Sequence, residues 1–147
     1  MANPMYGSNS FDNALDNVVG AREILHVDTT ISKSDSGKLF FVDGGATGVD
    51  ITLPAPELGL KFDFIVTDTS NACTIVTAGS SNIIKGFAVE AEDAGDAASS
   101  NTAGDTITFV ASDAGTGARV SLECDGVYWY ALGITEAADK LTVTQAG

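Results

Sequence analysis

The residue best suited to proton transfer near neutral pH is His26, the one histidine of this 147-residue chain. It lies in EILHVDTT, two residues before Asp28, a spacing that puts both side chains on one face of a β-strand. A carboxylate so placed can orient an imidazole, but nucleophilic catalysis also requires an activated hydroxyl or thiol. No Gly-x-Ser-x-Gly elbow supplies one. His26 therefore reads as a strand histidine near the start of a domain.

Carboxylates are plentiful, and Glu90, Glu92, Asp93 and Asp96 fall close together. They lack the alternating acidic pattern, the central glycine and the closing glutamate of an EF-hand loop, so they read as a solvated acidic segment. The glycine-rich stretches DGGATG and SDSGK do not fit the phosphate-binding pattern G-x-x-x-x-G-K-[ST], and neither leads into a helix able to hold an anion. Both read as hairpin turns. Cys73 and Cys124 each sit in a strand-like run, and no His/Cys cluster has zinc spacing. In an unexported protein the two thiols read as small buried hydrophobes; the alternative, a disulfide, requires neighbouring strands and oxidising conditions. The expectation is no catalytic residue, no cofactor and no metal site.

The elements that would position such groups are strands. From Ile24 onward the hydrophobic period is two: EILHVDTTI, KLFFVD, GVDITLP, LKFDFIV, CTIVT, NIIKGFAVE, DTITFVAS, ARVSLEC, VYWYALG and KLTVTQ, about ten short runs. Val49, Ile51 and Leu53 share one face, opposite Asp50 and Thr52; Phe62, Phe64 and Val66 share another, opposite Lys61 and Asp63. Asp125-Gly126 joins SLEC to VYWYALG with the composition of a type I′ hairpin. If Trp129 is a core residue, Tyr128 and Tyr130 are left on the outer face or at a subunit contact. Close turn signals and no long amphipathic helix predict an all-β sandwich or jelly-roll-like barrel over residues 24–147.

Two segments depart from this pattern. Residues 1–23, MANPMYGSNSFDNALDNVVGARE, are rich in Asn, Ser, Gly and Asp, with apolar anchors at Met5, Tyr6, Phe11, Leu15 and Val18. Phe11, Leu15 and Val18 could share a face of one or two helical turns, too few to be stable alone in water. The segment reads as an arm that orders against a partner. Residues 91–105, AEDAGDAASSNTAGD, are small and acidic, and read as a surface excursion too weakly apolar for a strand.

The charge narrows the partners. Twenty acids against 7 bases leave a net charge of −13. Seven scattered cations do not readily build the basic face that phosphate neutralisation needs, so neither nucleic acid nor an anionic membrane is an expected partner. No apolar run reaches the ~18 residues of a membrane span. The N-terminal residues lack the basic and apolar regions of a secretory signal, so synthesis in a cytoplasm is expected.

Four segments, SGKLFFVD, VDITLPAPELGLKFDFIV, SNACTIVTAGSSNIIKG and CDGVYWYALG, together resemble a β-rich module of tailed-bacteriophage virion proteins, over residues 35 to 133. Similar modules occur in capsid decoration (cement) proteins and in tail-fibre or receptor-binding proteins. The resemblance implies a non-enzymatic structural subunit, often trimeric, on the virion. One domain with an arm suits decoration of the outer capsid surface, with the major capsid protein as partner. Pro4, Met5, Tyr6, Phe11 and Leu15 are then the expected capsid or subunit contacts, and Tyr128 and Tyr130 outer-face contacts.

Overall fold

The computed structural model describes residues 21–90, 100–112, 115–136 and 140–145. The expected arm residues Pro4, Met5, Tyr6, Phe11 and Leu15 lie outside this range, as do 91–99 of the acidic segment. The described residues are all-β, in one sheet of seven strands and one of five.

The first half of the chain alternates between the sheets. β1 (Arg22–Leu25), β3 (Leu39–Asp43) and β5 (Leu58–Asp68) are parallel neighbours in the large sheet. β2 (Thr29–Thr30), β4 (Val49–Thr52) and β6 (Cys73–Val76) are parallel neighbours in the small one. Parallel neighbours need a crossover, usually a helix; here each crossover is a strand of the opposite sheet. The chain therefore winds as successive coils around a shared interior. β7 (Ile84–Glu90), β8 (Ser100–Gly104), β10 (Arg119–Asp125) and β11 (Trp129–Thr135) then complete the large sheet, in the order β1-β3-β5-β10-β11-β7-β8. β9 (Thr106–Phe109) and β12 (Leu141–Thr144) complete the small sheet, in the order β12-β9-β6-β4-β2.

This winding changes the meaning of the turn signals. DGGATG and SDSGK are corners between sheets, not hairpin turns, because the strands they join face each other across the core. At the first corner the backbone is packed so closely that a Cβ on Gly44 would stand 2.6 Å from Cys73 Sγ. Gly48, at φ +81°, would meet Ala72 O at 2.4 Å. The run EILHVDTTI is likewise split, since β1 and β2 belong to different sheets. Arg22 and Glu23, expected in the arm, open β1. The acidic segment ends in an edge strand: Ser100–Gly104 pairs with β7, a partnership made by backbone groups that small residues satisfy as well as apolar ones.

At the second corner, Ser32 and Asp35 close a capping box around a 3₁₀ turn, Lys33–Asp35. Partial burial pulls the Asp35 carboxyl upward. Hydrogen bonds from Lys38 and from the Ser32 side chain and N–H outweigh it and hold the pKa at about 2.

One core lies between the sheets. Phe40 and Phe64 stack at 5.4 Å between ring centroids, and Phe62 meets Trp129 at 5.7 Å. Phe62, Phe64 and Val66 face inward as the alternation predicts. Cys73 and Cys124 are both buried free thiols, on β6 and β10 of different sheets, in agreement with the hydrophobe reading. Trp129 is fully buried, with its indole N–H unpartnered. That group costs desolvation energy while the ring contributes packing.

Trp129→Ala is expected to lower the unfolding free energy by ~3–5 kcal/mol. Trp129→Phe should lose less, because the unpaired donor goes with the indole. Urea titration followed by circular dichroism checks both; a loss under ~1 kcal/mol for the alanine variant would contradict the core position. A depressed carboxyl contributes stability that is complete above its unfolded pKa and lost on acidification. Asp35→Asn should therefore lower stability at neutral pH and flatten its dependence between the ordinary value of 3.8 and about 2. An unchanged acid limb would contradict the capping contacts.

Candidate interaction face

Strand pairing lines up the outward residues of the large sheet in rows. One row reads Ile24, Phe41, Ile65, Arg119, Ile134 across β1, β3, β5, β10 and β11. The next reads Arg22, Leu39, Asp63, Ser121, Leu132, and a third carries Lys61, Glu123, Tyr130 and Lys85. Large apolar side chains are thus presented to solvent on an ordered sheet: Ile24 is 64% exposed, Ile134 52% and Leu132 45%. Polar contacts cross the same face. Ser121 Oγ donates to Asp63 Oδ1 at 2.5 Å, and Lys61 pairs with Glu123 at 3.3 Å.

The expected aromatic hairpin borders this face. β10 and β11 pair in register from Arg119↔Ile134 to Cys124↔Trp129. The turn is centred one residue later than Asp125-Gly126. Asp125 N–H donates to Tyr128 O at 3.2 Å, and Gly126 alone of the turn residues has positive φ, +98°. A glycine at the first central position is the type II′ requirement, not type I′.

Asp125 is instead the turn's hub. Its Oδ1 accepts the N–H groups of Tyr128 (2.7 Å) and Val127 (2.8 Å), and its Oδ2 accepts the Tyr130 hydroxyl (3.0 Å). Those two backbone donors hold the Asp125 carboxyl below its ordinary range; the hydrogen bond to Asp125 raises the Tyr130 phenol. Tyr130 stands on the outer face opposite Trp129. Tyr128 is half-buried at the turn, with Lys85 Nζ 3.6 Å above its ring centroid, within cation–π range.

A depression of about 400 Å³ lies beside Tyr130, lined by Lys85, Gly86, Ser121, Glu123 and Leu132. Gly86 forms part of its floor. At φ +154° its backbone runs against β11, where a Cβ would fall 1.9 Å from Ala131 O.

The outward face of the small sheet has a different character. Its rows are Thr30, Thr52, Val76, Thr106, Thr144 and Asp50, Thr74, Thr108, Thr142. Short hydroxylated side chains on paired strands stabilise one another by ~0.2–1 kcal/mol per pair without offering an apolar patch.

The other residues singled out from the sequence do not assemble. His26 and Asp28 lie between β1 and β2 rather than along one strand, and Asp28 Oδ1 accepts the Asp50 N–H at 2.9 Å. Among the described residues no group of three His, Cys, Asp or Glu side chains is arranged to hold a metal ion. Comparison with protein-family models, curated proteins and solved structures returns no match for this chain.

The apolar outer rows were missed in the sequence, although a signal for them is there. Once Trp129 is set inward, WYALGIT buries Ala131, Gly133 and Thr135 and turns Leu132 and Ile134 outward. The larger apolar residues thus occupy the wet phase.

Replacing Asp125 with Ala should lower the pH at which Tyr130 ionises, read by ultraviolet titration against a Tyr130→Phe control. An unchanged profile would contradict the Tyr130–Asp125 hydrogen bond.

Proposed function

We propose that this chain is a structural virion protein that decorates a mature phage capsid, bound across major capsid protein subunits on the outer surface. The observation that carries this reading is a coincidence of sequence and framework. The four segments resembling the phage virion module form β3, β4 with β5, β6 with the start of β7, and the β10–β11 turn with most of β11. They supply most of the core and much of the candidate face. A rigid two-sheet body suits a passive clamp, whose working parts are its surfaces.

In mechanism, a subunit that binds only the expanded lattice stabilises that state by mass action. The chain enters β1 at an edge of the large sheet. In this reading Pro4, Met5, Tyr6, Phe11 and Leu15 are the capsid contacts. Several such arms on one homo-oligomer, a trimer in this reading, raise the effective affinity far above that of one arm.

A second reading, a tail-fibre or receptor-binding subunit, draws on the depression beside Tyr130. An exposed phenol with Lys85, Ser121 and Glu123 around it has the make-up of a saccharide contact.

Deletion of residues 2–20 should abolish co-sedimentation with expanded capsids while leaving the thermal unfolding of the domain nearly unchanged, since the described residues already form a continuous core from Leu25 to Leu141. Retained binding overturns the arm's role. Capsid binding by neither form overturns decoration.

A further inference from the structure

We propose that the outward face of the seven-stranded sheet binds the same face of further copies of this chain, turned toward the axis of the oligomer. The proposal takes from the preceding reading only that the chain works as an oligomer, and its test needs no capsid.

The first argument is apolar area. Ile24, Leu132 and Ile134 are about half exposed or more, and the half-buried Leu39, Phe41 and Ile65 lie between them in the same two rows. Ordered apolar patches of this kind mark association surfaces. The apolar rows cross five strands at ~4.8 Å spacing, and three rows ~6.7 Å apart make a plane of roughly 24 Å by 20 Å. That is of the order of the ~800 Å² each partner buries in a standard interface.

The second argument, which selects the occupant, is charge. A chain of net charge −13 repels its own copies over most of its surface. Arg22, Lys61, Lys85 and Arg119, four of the chain's seven cations, lie on this face. Asp43 with its register partner Asp68, Asp63, Glu123 and Asp125 lie among them, so four cations stand against five carboxylates, close to balance on a chain of net charge −13. Each copy offers apolar rows with both signs interspersed, which is complementary to itself. A strongly acidic partner would leave the carboxylates opposed, and a strongly basic one the cations. On the small sheet the outward strand positions carry Asp50 and Val76 among threonines, without the apolar rows of the large sheet.

Sedimentation equilibrium of the full chain tests this, with two paired substitutions of equal charge. The unmodified chain should have a mass two or more times the 15.0 kDa of one chain. Leu132→Glu with Ile134→Glu should reduce it to a single chain, while Thr108→Glu with Thr142→Glu on the small sheet should leave it unchanged. Near-ultraviolet dichroism of the buried Trp129 reports whether each variant is folded. If the first pair unfolds the domain, Ile24→Glu on edge strand β1 makes the same test at a single exposed position. A monomeric unmodified chain at tens of micromolar, or folded face variants that keep the oligomeric mass, would overturn the proposal. Failure of capsid binding with the oligomer intact would count against decoration alone.

Discussion

Phe40 and Phe64 stack on adjacent parallel strands, and that parallel pairing constrains how the chain must run between them. Parallel neighbours cannot be joined by a tight turn, so the chain must leave the sheet between them and return. It does so through β4 of the small sheet, which places Val49, Ile51 and Leu53 against the far side of the aromatic layer. Once the coil has closed, β5 offers a long free edge to β10, and the β10–β11 hairpin brings Trp129 against Phe62. Hydrophobic burial and the absence of a helical crossover together impose the two-sheet winding.

Much of this was legible as alternation and little of it as topology. Period-two patterning located the strands because one wet and one buried face demand it. The topology was hidden because a corner between sheets and a hairpin turn draw on the same residues. Gly44 and Gly48 are required by close approach to Cys73 and Ala72, distant partners that no local pattern reveals. β8 was missed because an edge strand can be held by its backbone alone. At the candidate site, Tyr130 was legible from its alternation with Trp129. The apolar rows around it depend on strand register, which sets Ile24, Phe41 and Ile65 side by side from three separate segments.

The two outer faces divide the surface between them. Threonines, Val76 and Asp50 occupy the outward strand positions of the small sheet. The large sheet carries the apolar rows and four of the seven cations, so the hydroxylated surface and the apolar, mixed-charge surface are spatially separated. Such a separation lets a highly charged protein remain soluble while associating through one face. The hairpin at its border is braced by Asp125, which ties the backbone of the turn to the phenol of Tyr130.

The central claim, a two-sheet subunit that works through its surfaces on a phage head, is tested most directly by cryo-electron microscopy of intact particles carrying this chain. The account predicts density on the outer shell, with the large-sheet faces of neighbouring copies turned toward one another and residues 1–20 running onto the capsid subunits. Density at the tail tip, with the large sheet and the Tyr130 depression open to solvent, would contradict it.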